Sequence, residues 1–167
     1  MPRTATDLFD RYHVQVYRYF LRLTGSADVA QDLTQELFLR VLRHLGSCPA
    51  GFETGWIFRI ARNLLLDHRR RQQPDRLVAL ADVRMAGTEA TQLLAFGLAE
   101  ALDLLSEGDR ELFLLRELAG LSYAELGRMR NAQPDTIRSR VCRARCRLKE
   151  LLSPRLSAEN RRRNQDE

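Results

Sequence analysis

The chain has 167 residues, a length that fits one domain of ordinary size or two small helical domains. Its formal charge of +5 and pI near 9.6 favour an anionic partner, and nucleic acid and a membrane surface both qualify. The sequence has no apolar run long enough to span a bilayer and no secretory h-region, and its three cysteines cannot form a closed set of disulfides. We therefore predict a cytoplasmic protein with reduced thiols and no insertion into the membrane.

Two amphipathic helices are predicted at the start of the chain. Thr6 and Asp7 open the first, which Gly25 ends, and Ser26 caps the second, which runs to about Leu45. The first helix has an apolar face made of Leu8, Phe9, Tyr12, Val16, Tyr19, Phe20 and Leu23. The buried side of the second is predicted to contain Leu33, Leu37, Phe38, Val41 and Leu42.

The second helix also carries an acidic stripe, because Asp28, Asp32 and Glu36 follow one another at four-residue steps. Such a stripe is most often a solvated helix face. On an otherwise basic protein it could instead dock a basic partner surface.

A loop at Gly46–Gly55 precedes a third helix, predicted from Thr54 to Arg71. Phe52, Trp56 and Phe58 lie near its start, and arginines follow along it. This combination suits single-stranded nucleic acid, whose bases stack on rings while cations hold the backbone. The aromatic rings could also simply fill the core, and for Trp56 we favour that interpretation.

The helical pattern stops between Gln72 and Ala90, which we interpret as a linker with a short helical turn at Leu77–Ala81. It resumes from Gln92 to Leu105. Ser106 and Asp109 then form a predicted capping box before a helix from Glu111 to Leu118, which Gly120 terminates.

The stretch from Leu121 to Leu152 predicts a helix-turn-helix. Ser122 and Glu125 form a capping box, Asn131 suits a left-handed turn residue, and Pro134 suits the first position of the second helix. Buried positions recur along that helix at Ile137, Val141, Ala144 and Leu148. The arginines between them favour a phosphate-lined groove, although a solvated basic face on a helical hairpin would look similar.

The remaining features complete an all-α prediction of two small helical domains. Cys142 and Cys146 could share a metal or sense oxidation, but we expect structural or incidental thiols, since a buried free cysteine commonly behaves as a small hydrophobe. Ser153-Pro154 should close the last helix and leave a disordered tail. The predicted segments are a first domain at 5–72, a linker at 73–91, a second domain at 92–153 and a tail at 154–167.

Three segments in this order resemble the extracytoplasmic-function (ECF) sigma factors of bacterial RNA polymerase. DVAQDLTQELFLRVLRHL and GWIFRIARNLLLDHRRR are similar to sigma region two, and LSEGDRELFLLRELAGLSYAEL followed by DTIRSRVCRARCRL is similar to region four. The resemblance covers Leu8 to Leu152. It implies a factor that binds core polymerase through the clamp coiled coil and the flap, recognises promoter DNA and assists melting. It also implies an anti-sigma partner, which could hold the factor at the inner membrane.

The resemblance assigns roles to individual residues. Contact with polymerase is implied for Asp28, Asp32, Gln35, Glu36 and Phe38. The loop Ser47–Thr54 would capture a flipped base, and contact with the −10 element is implied for Phe52, Glu53, Trp56, Arg59, Arg62, Asn63, Arg69 and Arg70. Contact with the −35 element is implied for Thr136, Arg138, Ser139, Arg140, Cys142 and Arg143, among which Arg138 and Arg143 are the preferred base contacts.

The chain departs from the family pattern around its turn. Asn131 stands where glycine is usual, and Gly127 and Arg130 replace alanine and an apolar residue, changes that should loosen the first helix of the motif. The alternative interpretation is a polymerase-independent helix-turn-helix regulator. The sequence lacks the common catalytic motifs, so we predict neither an enzyme nor a cofactor nor a metal site.

Overall fold

The computed structural model describes residues 4–72 and 97–163, with side chains described up to residue 154. Among these residues the regular structure is helical, as the sequence predicts. The elements are α1 (Ala5–Thr24), α2 (Ala27–Arg43), a 3₁₀ turn (Leu45–Ser47), α3 (Glu53–Arg71), α4 (97–103), α5 (Glu107–Glu117), α6 (Tyr123–Arg130) and α7 (Pro134–Arg163). We call α1–α3 the N-terminal unit and α4–α7 the C-terminal unit.

The first helix begins earlier than predicted because the capping residue is Thr4. Its hydroxyl accepts from the Asp7 amide at 3.1 Å, and the Asp7 carboxylate accepts from the Thr4 amide at 3.0 Å. This capping box satisfies two amide groups that have no partner within the helix. Gly25 ends the helix with φ of 67°, as predicted.

The N-terminal unit packs its three helices around the predicted apolar faces, with two exceptions. Phe9 is 44% exposed, and it stacks on His13 with ring centroids 4.7 Å apart and meets the edge of Phe38 at 4.8 Å. Leu42, predicted to be buried, is 61% exposed. It lies on the same exposed face of α2 as Leu39, three residues earlier, whereas its neighbour Val41 points into the core and is fully buried.

The C-terminal unit contains the predicted helix-turn-helix. The Ser122–Glu125 capping box is present, α6 begins at Tyr123, and Asn131 adopts φ of 51° in the turn. Four residues of α7 face α5 and α6 and are at most 4% exposed, namely Ile137, Val141, Ala144 and Leu148.

Two predicted boundaries in this unit are wrong. α5 begins at Glu107 and not at Glu111, because Ser106 caps it by accepting from the Asp109 amide. Only half of the predicted box forms, since the Asp109 carboxylate accepts from the Ser106 hydroxyl at 2.9 Å and from Arg140 at 2.8 Å.

The last helix does not end at Ser153-Pro154 either, because α7 continues through Pro154 to Arg163. Proline lacks an amide for the carbonyl four residues earlier, but helix-forming residues on both sides favour continuation. The proposed linker 73–91, its turn at Leu77–Ala81 and the predicted start at Gln92 lie outside the described residues.

Gly127 tightens the turn rather than loosening it. A Cβ at this position would lie 2.7 Å from the carbonyl oxygen of Ala132, and the Ala132 amide donates to the Gly127 carbonyl at 2.9 Å. The chain therefore crosses close over α6 where alanine would collide with backbone. Glycine in α6 and left-handed Asn131 after it form one compact turn.

We expect Gly127→Ala to destabilise the protein. Alanine favours a helix by about 1 kcal/mol over glycine. The collision with Ala132 backbone should reverse that gain and lower the free energy of unfolding by about 1–2 kcal/mol, as overpacking does. Gly46→Ala is the control, because a Cβ there meets nothing within 4 Å. Urea denaturation of both variants measures the effect, and equal stability of the two would contradict the account of the turn.

Candidate nucleic-acid and protein interfaces

The outer face of α7 presents most of the residues predicted to contact duplex DNA. Five are exposed on the side opposite the buried stripe, namely Thr136, Arg138, Ser139, Cys142 and Arg143. Arg140 is half-buried and differs from them, because its Nε donates to Asp109 of α5 at 2.8 Å. Arg140 therefore joins α7 to α5.

Arg138 is held in position by an aromatic ring. Its guanidinium lies 5.3 Å from the centroid of Tyr123, and Arg116 lies 4.8 Å from the same ring. Arg116 also donates to the Leu121 carbonyl at 2.8 Å, which ties the ring to the segment before α6. Cation–π contact restricts the arginine to few rotamers while leaving its donors exposed.

Arg143 and Arg145 differ in the way their charge is used. Arg145 forms an ion pair with Glu117 of α5, through Nε at 2.8 Å and through a second guanidinium nitrogen. For Arg143 the described residues supply no ion pair, and its side chain is exposed in the middle of the outer face. Arg143 therefore has no competing counter-charge within the described residues and can bind an external anion.

The two cysteines of α7 are exposed, so they are not the small buried hydrophobes that a structural role would require, and incidental thiols remain the prediction. The reason is their register, because Cys142 and Cys146 fall between the buried positions Val141, Ala144 and Leu148. Among the described residues no group of three His, Cys, Asp or Glu side chains could hold a metal ion.

The start of α3 divides its aromatic residues between core and surface. Trp56 is 6% exposed and Phe58 is fully buried, so both fill the core and neither presents a ring to a ligand. Phe52, just before the helix, is 58% exposed. The hydroxyls of Tyr12 and Thr54 lie 2.9 Å apart, and Glu53 accepts from the Gly51 amide at 3.2 Å, which fixes the loop against α1.

The polar residues of α3 fall into two groups. Arg59 and Asn63 are exposed, as is Arg70, which lies 3.8 Å from Asp67. Arg62 and Arg69 instead face the C-terminal unit, where they meet Glu111 and Glu107. The eight side chains predicted to face one DNA strand therefore do not lie on one free surface.

Glu111 is the buried acid at the junction of the two units, and sequence reasoning treated it only as the start of a helix. It is 3% exposed, accepts from the Tyr19 hydroxyl at 3.1 Å and lies 3.2 Å from Arg62 Nε. Arg130 binds its second oxygen. We call Tyr19, Arg62, Glu111 and Arg130 the Glu111 cluster. The sequence did contain one signal for this cluster, because Arg130 occupies a position where an apolar residue is expected in the family.

Burial sets the protonation of this cluster. Burial and the negative charge of Glu111 raise the pKa of Tyr19 well above its ordinary value, so the hydroxyl stays protonated and donates. Burial lowers the pKa of Arg130, which the Glu111 charge opposes. Arg62 Nε makes a charge contact with Glu111 but no hydrogen bond within the described part of the chain.

The predicted polymerase-contact residues of α2 lie mostly on one exposed face. Asp28, Asp32 and Gln35 are exposed, while Glu36 is half-buried and accepts from Arg40 at 2.8 Å. That hydrogen bond lowers the pKa of Glu36 and keeps it ionised. The fifth residue, Phe38, is half-buried against Phe9.

Sequence reasoning missed two apolar side chains on this face, Leu39 and Leu42, which are 48% and 61% exposed. Leu39 and Leu42 lie four and seven residues after Gln35, so they extend along α2 the exposed face on which the acidic residues lie. A face that combines carboxylates with exposed leucines suits a protein partner better than nucleic acid. Within the described ranges, no helix is both long and apolar enough to cross a bilayer.

Two protein-family models match the chain, one over each structural unit. Residues 8–74 match sigma-70 region 2, and residues 96–148 match sigma-70 region 4. The chain is 35% identical to the ECF RNA polymerase sigma factor SigE of Mycolicibacterium smegmatis, over 88% of this chain and 61% of SigE. It is 35% identical to EcfG of Rhodopseudomonas palustris, over 80% of this chain and 77% of EcfG, and 29% identical to SigW of Bacillus subtilis, over 87% of each.

Among solved structures, the chain is similar to the sigma factor RpoE in complex with the anti-sigma factor NepR from Bartonella quintana. The TM-score is 0.71 at 26% identity, covering 87% of this chain and 94% of RpoE.

We expect Arg143→Gln and Arg145→Gln to differ in their effect on binding to duplex DNA. Removing a free phosphate contact should make the slope of log K against log salt less negative by about 0.9. Arg143 should show this loss, whereas Arg145 is already neutralised by Glu117 and should show much less. Fluorescence anisotropy with a mixed-sequence duplex at four salt concentrations measures both slopes. Equal slopes for the two variants would show that the ion pair with Glu117 does not determine whether an arginine can bind phosphate.

Proposed function

This chain belongs to the ECF RNA polymerase sigma factors, and we propose that it binds core RNA polymerase, directs it to specific promoters and assists promoter melting. The observation that carries this proposal is the division of exposed surfaces between the two units. One unit offers an acidic and apolar face on α2, and the other offers a basic outer face on α7. A protein partner suits the first face, and duplex DNA suits the second.

The outer face of α7 would bind the −35 element in the major groove. Phosphate contacts would fix the position of the helix, and contacts with base edges would supply the sequence preference. Arg138 and Arg143 are the preferred base contacts, because both guanidiniums are exposed and a bidentate pair with guanine discriminates by about 1–3 kcal/mol. Thr136, Ser139 and Cys142 would line the groove beside them.

The loop Ser47–Thr54 and the exposed part of α3 would hold the melted −10 strand. Phe52 is the exposed ring on which an unstacked base could stack, an interaction of about 1–3 kcal/mol. Arg59, Asn63 and Arg70 would contact the backbone of that strand. Trapping the base makes promoter opening a binding equilibrium. Glu53 and Trp56 would act by shaping the loop and not by direct contact.

The exposed face of α2 would dock on the clamp coiled coil of core polymerase. Asp28, Asp32 and Gln35 supply charge and polarity, and Leu39 and Leu42 supply apolar area that excludes water around them. The C-terminal unit would contact the flap. The polymerase would perform all of the chemistry, so we propose that this chain is not an enzyme and that it acts in the cytoplasm without a cofactor.

An anti-sigma factor is the further partner that we propose. The similar sigma factor RpoE was solved in complex with the anti-sigma factor NepR. A comparable protein could mask the α2 face and the α3 surface at the same time, since both belong to the N-terminal unit.

Binding to core polymerase tests the proposal. Wild type should co-purify with bacterial core enzyme, and Asp32→Arg/Glu36→Arg should weaken the complex at least about tenfold, because reversed charges would face a basic partner surface. Asp10→Arg is the control, since Asp10 is an exposed acid on α1 and not on α2. Biolayer interferometry with immobilised core enzyme gives the affinities.

The same measurement distinguishes the proposed sigma factor from the alternative interpretation. A chain that binds duplex DNA but never binds core polymerase would be a helix-turn-helix regulator and not a sigma factor. A control variant that loses as much affinity as the double variant would place the docking surface elsewhere on the N-terminal unit.

A further inference from the structure

The ring of Tyr123 is a contact point shared by α5, α6 and α7. Tyr123 is the first residue of α6 and is half-buried. Arg116 of α5 and Arg138 of α7 place their guanidiniums over this ring, 4.8 Å and 5.3 Å from its centroid. Hydrogen bonding to Glu117, with a smaller contribution from Tyr123, raises the pKa of Arg145, so that arginine also lies beside the ring.

Of these three arginines, Arg138 depends most on the ring. Arg116 also donates to a backbone carbonyl at 2.8 Å, and Arg145 forms an ion pair with an acid of α5. For Arg138 the described part of the chain supplies neither a hydrogen bond nor an ion pair, and its side chain is exposed. Contact with Tyr123 is therefore what orients the Arg138 guanidinium.

The ring itself has a fixed place in the fold. The capping box holds the first turn of α6, since the Glu125 carboxylate accepts from the Ser122 amide at 2.8 Å. Leu121 and Leu126, which lie on either side of the ring in the sequence, are at most 1% exposed. The ring is thus a firm surface that α5 and α6 present to Arg138.

Arg143 provides the comparison on the same outer face. It is exposed, and among the residues that the structure describes it has neither an ion pair nor an aromatic ring beside it. A bidentate contact with guanine needs the guanidinium fork in one orientation, whereas a phosphate contact positions without reading sequence. Because preorganisation lowers the cost of binding, Arg138 is prepared to discriminate between bases and Arg143 to add affinity.

Stacking on the ring and reading a base use different parts of the guanidinium group. The ring attracts the cation through its flat face, and the N–H donors lie around the edge of the plane. Arg138 can therefore keep its contact with Tyr123 while it donates to a base.

From these contacts we propose that Tyr123 is a specificity-determining positioning residue, whose ring orients Arg138 for bidentate contact with a guanine of the −35 element. The proposal rests on the proposed function, because it assigns the outer face of α7 to promoter duplex. Tyr123 acts through Arg138 and sets the preference at the base pair that Arg138 reads. The preferences that other residues supply do not depend on the ring.

Selection from randomised duplexes tests the proposal. The full-length chain, assembled with core polymerase, selects from duplexes randomised over the −35 segment, and sequencing gives the preference at each base pair. Arg138→Gln identifies the base pair that Arg138 reads. There, Tyr123→Leu should lower the preference for guanine about fivefold, and at other base pairs it should change the preference less than about twofold.

Two aromatic replacements separate orientation by the ring from a role in packing. Tyr123→Phe keeps the ring and should keep the preference. Pentafluorophenylalanine at position 123 has almost the same shape but a reversed quadrupole, so it should lower the preference as leucine does. Retention of the preference with the fluorinated ring would overturn the proposal. Equal losses in Tyr123→Phe and Tyr123→Leu would assign the effect to the hydroxyl group and overturn it too.

Combined variants measure the coupling between the ring and each arginine. Tyr123→Leu should cause no further loss at that base pair in an Arg138→Gln background. In the matched Arg143→Gln background it should cause its full loss. A uniform loss of preference at all base pairs, or an equal effect in both backgrounds, would show that Tyr123 does not act through Arg138.

The same library separates this inference from the function on which it rests. If the holoenzyme forms and selects a −35 sequence whose preferences do not respond to Tyr123→Leu, the positioning role fails and the sigma function stands. If core polymerase does not bind, the full-length chain alone is used for the selection. Loss of one preference in Tyr123→Leu would then support the role of the ring while the sigma function fails.

Discussion

The buried carboxylate of Glu111 is the interaction on which the arrangement of the two units depends. An uncompensated charge at 3% exposure would cost several kcal/mol, so its partners must stay in place. Those partners come from three different helices, because Tyr19 lies on α1, Arg62 on α3 and Arg130 on α6. One acid on α5 therefore fixes the position of α5 relative to both units. Moving any of the three helices would deprive the Glu111 carboxylate of a hydrogen-bond donor or of a counter-charge.

Pairing with nearby carboxylates also determines the role of the individual arginines in this arginine-rich chain. Where an acid lies within reach, as for Arg140 with Asp109 and Arg145 with Glu117, the arginine joins α7 to α5. Where the described residues provide no ion-pair partner, as for Arg143, the charge remains available to an external anion. The net charge of the chain favours an anionic partner in general. The acids of α5 determine which of the arginines remain available to bind such a partner.

The three residues at which the chain departs from the expected family pattern are each accommodated by a specific contact. Asn131 replaces the usual glycine of the turn, and Gly127 four residues earlier supplies the space that the returning backbone needs. Arg130 replaces an apolar residue, and Glu111 supplies the buried partner that its charge requires. With these contacts α6 packs on α7, and the four apolar residues of α7 remain buried.

The sequence by itself determined the helical class, the helix-turn-helix with its capping box and turn residue, and the buried stripe of α7. These features depend on local periodicity and on residues three or four apart, which the chain displays directly. It also indicated an exposed face on α2. The burial of Trp56 confirms the interpretation that the sequence favoured. Only the tertiary structure decided that Leu42 and the two cysteines of α7 are exposed and that Arg62 and Arg69 meet acids of α5. The exposure depends on which face of each helix its neighbours cover, and the ion pairs join residues some 40 to 50 positions apart, about which helical periodicity carries no information.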